Sequence, residues 1–285
     1  MQSIGVIGAG TMGSGIALAS ALAGYDVVLN DISDGFLQVA YRRIGELMQK
    51  ASDKGKLKVA DADAAALRIR TSSHFVHLKT CELVIEAAVE KLETKQEIFA
   101  KLSDLCSEDT IFATNTSSLS ITAIASAAKK PSRCVGLHFF NPAHIMKLVE
   151  IVRGYDTTDD VMYRAEGYIK QLGKVPVLGK DTPGFIVNRV ARNFYGEAFR
   201  LLSDGIATHE QIDIVMRGNG FAMGPFLLMD LIGIDINLAV TESIYDQFFG
   251  EPRFRPHPIQ QKMVEAHLLG KKTGRGFYDY SDKKD

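Results

Sequence analysis

Three things are scarce in this 285-residue sequence: unbalanced charge, long apolar runs and cysteine. Lys and Arg total 33 against 34 Asp and Glu, a formal net charge of −1. A nucleic-acid surface needs a basic excess, so that class of partner is excluded. No apolar run reaches the roughly 18 residues that cross a bilayer, which excludes a helical membrane span. The chain enters a strand-like SIGVI at once, so no secretory leader is expected. Cys81, Cys106 and Cys134 lack metal-ligand spacing and are expected as buried free thiols of a reducing cytoplasm, with no disulfide and no metal. What is plentiful is apolar residue, at 46% against 24% charged, enough for a packed core in one large domain or two smaller ones.

The first motif begins at once. SIGVI (3–7) reads as a buried strand, GAGTMG (8–13) follows it, and an apolar helix is predicted over 11–22 with Gly24 at its end. The strand DVVLN then leads into Asp31. In such a unit Gly8 makes the tight turn, Gly10 lets a pyrophosphate approach the backbone, and Gly13 lets helix and strand pack closely. The helix N-terminus receives the diphosphate charge. Gly8, Gly10, Thr11, Met12 and Gly13 are therefore expected at a dinucleotide. Taken alone, the loop could equally be a glycine-rich turn; strand, loop, helix and terminal acid in register make it a Rossmann-type site. Asp31 would bind the adenosine ribose hydroxyls and repel a 2′-phosphate, favouring NAD over NADP. The nearest arginines, Arg42 and Arg43, fall on the next helix.

Residues 33–68 read as a helical hairpin inserted beside that site. It carries Lys50 and Lys54, either a solvated face or a phosphate-binding edge. Further strands are predicted over 82–90, ending in Glu90, and 110–115, opening into the turn NTSS (115–118). Between them runs an amphipathic helix with Lys95. Ser117 and Ser118 could be helix N-caps. The carboxyl ends of parallel strands are also where open α/β sheets build sites, and Asp31, Glu90, Asn115 and Ser117 all fall there.

GLHFFNPAHIMKLVE (136–150) sets His138 and Glu150 in two short apolar strands. Paired, they would make a general base whose tautomer is held by an anion; His138 could otherwise be a core histidine satisfied by backbone. A helix over 159–172 and the strand VPVLG (175–179) follow, and DTPGF (181–185) marks a boundary, with Asp181 or Thr182 as N-cap of the next helix. The chain is thus expected to divide into an α/β domain, 1–182, and an all-helical domain, 183–285. In the latter, Ile186, Val190, Phe194 and Ala198 share one helix face, and helices are predicted at 208–217, 224–249 and 257–269, before a strand-like RGFYDY tail. Its apolar helix faces exceed what its length can bury, pointing to a homodimer. Asn188 would point back towards the first domain or be a surface residue.

With the glycine loop, NTSS, GLHFFNP, Glu150, DTPGFIVNR and the tail GKKTGRGFYDY in order, the chain resembles the 3-hydroxyacyl-CoA dehydrogenase family, and its bacterial 3-hydroxybutyryl-CoA branch in particular. The resemblance implies an NAD-dependent enzyme interconverting (S)-3-hydroxyacyl-CoA and 3-ketoacyl-CoA. It implies His138 as acid–base, Glu150 as its carboxylate partner, and Ser117 and Asn188 at the reacting oxygen. It further implies Asp31, Glu90, Lys95, Ser117, Asn141 and Lys272 at the dinucleotide, and Lys50 and Lys54 with Ser117 at the acyl-CoA. Leu47 stands where animal relatives have serine, and His144 where relatives have proline or an apolar residue. Two other classes compete: a dehydrogenase of a free 3-hydroxy acid or sugar acid on the same plan, and a non-catalytic NAD-binding protein resembling lens crystallins.

Overall fold

A computed structural model of the protein describes residues 1–281, which fall into two compact units, the first Met1–Thr182 and the second beginning at Pro183. The first is built on one eight-stranded sheet. Its strands are β1 (Ser3–Ile7), β2 (Asp26–Asn30), β3 (Ile69–Ser72), β4 (Leu83–Glu86), β5 (Ile111–Thr114), β6 (Cys134–Phe139), β7 (Leu148–Arg153) and β8 (Val175–Lys180). They lie in the order β3-β2-β1-β4-β5-β6-β7-β8. Every pair is parallel except β6–β7. Strands covered on both faces must be apolar along their length, and LVIE, IFAT and CVGLHF are buried throughout. Because successive side chains alternate, Leu83 and Ile85 join one core while Val84 joins the other.

Six α-helices belong to this unit: α1 (Thr11–Leu22), α2 (Asp34–Asp53), α3 (Val59–Arg68), α4 (Leu92–Leu105), α5 (Ile121–Ala125) and α6 (Asp159–Gln171). The inserted pair, α2 and α3, forms as expected, with Leu37, Ala40, Ile44 and Met48 as the buried stripe of α2. The strand after it, β3, was not legible: IRTS is short and half exposed, and is held by parallel pairing with β2. The expected strand 82–90 stops at Glu86, leaving Glu90 in the following turn.

The second unit holds α7 (Val187–Ser203), α8 (His209–Gly218), α9 (Pro225–Ile232), α10 (Ile234–Gln247) and α11 (Pro258–Glu265). One helix expected over 224–249 is two, because Gly233 turns the chain at φ 103°. The face chosen on α7 also needs correction. Ile186 and Val190 are exposed, and the packed face is Arg192, Tyr195, Ala198 and Phe199. The tail forms only isolated bridges and no strand. Its anchor is Asp230, which accepts from the Phe277 and Tyr278 N–H groups and the Tyr280 hydroxyl.

Candidate functional site

The glycine loop joins β1 to α1, and its three glycines face different constraints. Gly8 sits at φ 95°, and a Cβ there would stand 2.5 Å from the Ala87 carbonyl oxygen. At Gly13 a Cβ would meet the Gly8 carbonyl at 1.7 Å. At Gly10 it would meet nothing within 4 Å, so the loop is open on that side. Gly10 is also the N-cap of α1 and supplies no side chain to its first turn, whose N–H groups are thus available to an anion. Thr11 is the first residue of that helix, and Met12 packs against the core. Asp31 stands just beyond β2, its Oδ2 accepting from the Ala9 N–H at 2.7 Å. A cleft of about 640 Å³ opens there, lined by Gly8, Gly10 and Asp31 and by apolar Ile32, Phe36 and Val89. Open loop, the carboxylate just beyond β2 and the apolar cleft together fit a dinucleotide. Arg43, on α2, lines the same cleft and donates to the Thr11 hydroxyl at 3.3 Å.

A buried chain of charge ties the next turn down. Glu86, at the end of β4, accepts from Lys95 Nζ, the Ala88 N–H and the Thr114 hydroxyl, each at 2.7 Å. Lys95 also pairs with Glu90 Oε2 at 3.2 Å. Glu90 Oε1 in turn accepts from the Thr116 hydroxyl at 2.5 Å and the Ser117 N–H at 2.9 Å. Burial alone would raise the Glu90 carboxyl, but the Lys95 charge and the Thr116 and Ser117 hydrogen bonds outweigh it and hold it below 4.5. Glu90 and Lys95 therefore fix the NTSS turn that carries Ser117. Neither Ser117 nor Ser118 is the cap of α5. That role belongs to Ser120, whose hydroxyl accepts from the Ala123 N–H. Asp181, expected to start the next helix, instead accepts from the Ile121 and Thr122 N–H groups and the Ser120 hydroxyl. Small acidic side chains cap wherever free N–H groups lie, including those distant in sequence.

On β6 and β7, His138 and Glu150 are direct cross-strand partners. Their side chains are 7% and 1% exposed, and His138 Nδ1 lies 2.6 Å from Glu150 Oε2. A carboxylate there accepts a hydrogen bond from Nδ1–H, which keeps the proton on Nδ1 and leaves the lone pair on Nε2. The Phe140 ring is 4.4 Å from the imidazole, centroid to centroid. Asn115 Oδ1 accepts from the Phe139 N–H at 2.9 Å, locking the NTSS turn to the strand that bears His138. Thus Asp31, Glu90, Ser117, His138 and Glu150 all lie at one edge of one unit.

Residues 3–182 match the NAD-binding domain of 3-hydroxyacyl-CoA dehydrogenases, and residues 184–280 their C-terminal domain. The chain belongs to the 3-hydroxyacyl-CoA dehydrogenase family. It is 46% identical to the Escherichia coli 3-hydroxyadipyl-CoA dehydrogenase, matching with 100% of its own length but only 60% of that protein's. It is 42% identical to the Clostridioides difficile 3-hydroxybutyryl-CoA dehydrogenase, over 98% of this chain and 100% of the other. Among solved structures, the (S)-3-hydroxybutyryl-CoA dehydrogenase of Ralstonia eutropha superimposes with a TM-score of 0.95 at 42% identity, covering 99% of this chain and 100% of that one.

Of the remaining positions that the family resemblance singles out, three belong to the first unit and two to the second. Asn141 is exposed in the segment after β6, and Lys50 and Lys54 are exposed at the end of α2, where Leu47 packs on the core. In the second unit Asn188 is in the first turn of α7, and Lys272 pairs with Asp235 at 2.5 Å. Burial pushes the Cys81 and Cys134 thiols up to about 12 and Cys106 to about 11, so all three are poor nucleophiles. Among the described residues no cluster of three or more His, Cys, Asp or Glu could hold a metal, and no helix is long and apolar enough to cross a membrane.

Proposed function

We propose that this enzyme interconverts (S)-3-hydroxyacyl-CoA and 3-ketoacyl-CoA, the four-carbon pair being 3-hydroxybutyryl-CoA and acetoacetyl-CoA. The observation that carries the reading is the buried His138–Glu150 contact of 2.6 Å beside the NTSS turn. His138 Nε2 takes the proton of the 3-hydroxyl in oxidation and returns it in reduction. Glu150 holds the ring in one tautomer and stabilises the imidazolium. Ser117 and Asn188 donate hydrogen bonds to the oxygen on which charge develops. NAD, when bound, supplies the hydride acceptor for C3. Gly8, Gly10, Thr11, Met12 and Gly13 cradle its diphosphate, Asp31 its adenosine ribose, and Glu90, Lys95, Asn141 and Lys272 complete its site. Lys50 and Lys54 hold the CoA phosphates. The protein works in the cytoplasm as a homodimer formed through its helical unit, where Ile206, Ile214, Val215 and Phe221 are exposed.

The test is NADH oxidation with acetoacetyl-CoA against free acetoacetate, repeated with NADPH. Remote binding energy is used at the reacting centre, so the thioester should be reduced at least about 100-fold more efficiently than the free acid. Equal rates would move the protein to the free hydroxy-acid class. No turnover of either would leave the crystallin-like reading.

A further inference from the structure

The second unit buries a cation that this mechanism does not use. Arg192 lies one turn beyond Asn188 on α7, with 5% of its surface accessible. Its Nε donates to the Asn188 carbonyl at 3.2 Å, and its Nη1 to the Asn237 carbonyl at 2.9 Å and the Thr241 hydroxyl at 2.6 Å. The guanidinium carbon is 5.0 Å from the centroid of the Tyr195 ring. Every one of these partners is neutral, and among the described residues no carboxylate pairs with Arg192. Buried charges are normally paired, because an uncompensated one is expensive. Burial pushes this guanidinium down to about 10, against the opposing effect of Tyr195.

Two donors in this cluster also lack acceptors. Among the described residues Nη2 of Arg192 donates no hydrogen bond. Asn237 Nδ2 is buried without an acceptor, although the Asn237 carbonyl takes Arg192 and its Oδ1 takes Gln260. A positive charge with a nitrogen left over, next to an orphaned amide, is what a carboxylate satisfies: it brings one negative charge and about four lone-pair sites.

We propose that Arg192 binds a carboxylate at the far end of the acyl chain, so that the preferred substrate is a dicarboxylic 3-hydroxyacyl-CoA. This rests on the dehydrogenase reading, which sets Asn188 at the reacting C3 oxygen. One helical turn from Asn188 to Arg192 is about 6 Å of rise. Three carbon–carbon bonds of about 1.5 Å carry a chain from C3 to C6, roughly 4 Å, and the carboxylate oxygens reach further. A six-carbon diacid thioester matches that span; a four-carbon neutral chain stops short of it.

The experiment compares kcat/KM, with NADH, for 3-ketoadipyl-CoA and 3-ketohexanoyl-CoA, which have the same length but differ in the terminal carboxylate. A charge-assisted guanidinium–carboxylate bond corresponds to a wild-type preference of at least about tenfold for the diacid. Arg192→Met should bring that ratio to about one, through KM for the diacid, while Arg192→Lys keeps part of it. A wild-type ratio of one overturns the proposal without any variant. So does an Arg192→Met that lowers both substrates equally, the signature of a strut between α7 and α10. If neither thioester is reduced, the dehydrogenase reading itself has failed. Should Arg192→Met not fold, competition by adipyl-CoA against hexanoyl-CoA on the wild-type enzyme decides: equal inhibition overturns the assignment.

Discussion

Lys95 and Glu86 carry opposite charges at 1% and 0% exposure, and each depends on the other. Removing one partner of a buried pair leaves the other uncompensated, at about 3–5 kcal/mol. Lys95→Met should therefore lower the urea midpoint sharply, and adding Glu86→Gln should recover part of the loss. A midpoint unchanged by Lys95→Met would mean that Glu86 is satisfied without its charge partner. Glu90 makes a prediction about pH. Its folded carboxyl is held below the ordinary 4.5, so its contribution is complete above that value and is lost as pH falls through the folded one. Glu90→Gln should flatten the acid limb of the stability curve and leave its slope near neutrality alone. For catalysis, His138→Gln should reduce turnover about 10²–10⁴-fold with NADH affinity retained, measured by stopped-flow and fluorescence titration. Near-normal turnover would remove His138 from the mechanism. These residues were not equally legible. A histidine and a glutamate inside apolar strands stand out, because both are titratable where water is absent. Glu86 did not, and Lys95 did so only through the family resemblance, because lysine on an amphipathic helix ordinarily points to solvent and only the sheet reveals that α4 turns this one inward.

Elements were legible where one local rule governed them. The glycine loop follows from chain sterics within a dozen residues, and its glycines should fail differently when substituted. Gly13→Ala drives a methyl towards a carbonyl oxygen and should cost about 1–3 kcal/mol or more in thermal stability. Gly10→Ala meets no protein atom, so its melting temperature should stay near wild type while NADH binding weakens about tenfold or more. If Gly10→Ala bound NADH normally, the diphosphate would have to lie elsewhere. Elements decided by distant partners were not legible. β3 exists because β2 offers it an edge, and Asp181 caps a helix some sixty residues away in sequence. On α7 the apolar spacing gave a plausible face, but Tyr195, Phe199 and a buried Arg192 form the packed one.

At the scale of the molecule, the same spacing error has a positive content. The apolar residues placed in the core of the second unit are real, but several remain outside: Val190, Ile214, Val215, Phe221 and Phe249 are each at least half exposed. Ile214 and Val215 are consecutive on α8, and Phe221 stacks on Phe194 at 5.1 Å, extending an aromatic surface outward from α7. Apolar side chains scattered singly are normal, but clustered on the helices of one small unit they mark an interaction surface. In the proposed homodimer a second copy would close such a surface symmetrically, burying the same patch twice. Light scattering of the purified protein should then give twice the 31.2 kDa chain mass. The double variant Ile214→Glu, Val215→Glu places four like charges at a two-fold interface while leaving each unit's core untouched. It should run as a monomer at micromolar concentration with an unchanged far-UV spectrum. A wild-type monomer, or a double variant that stays dimeric, would mean that α8 is not the surface through which two chains meet.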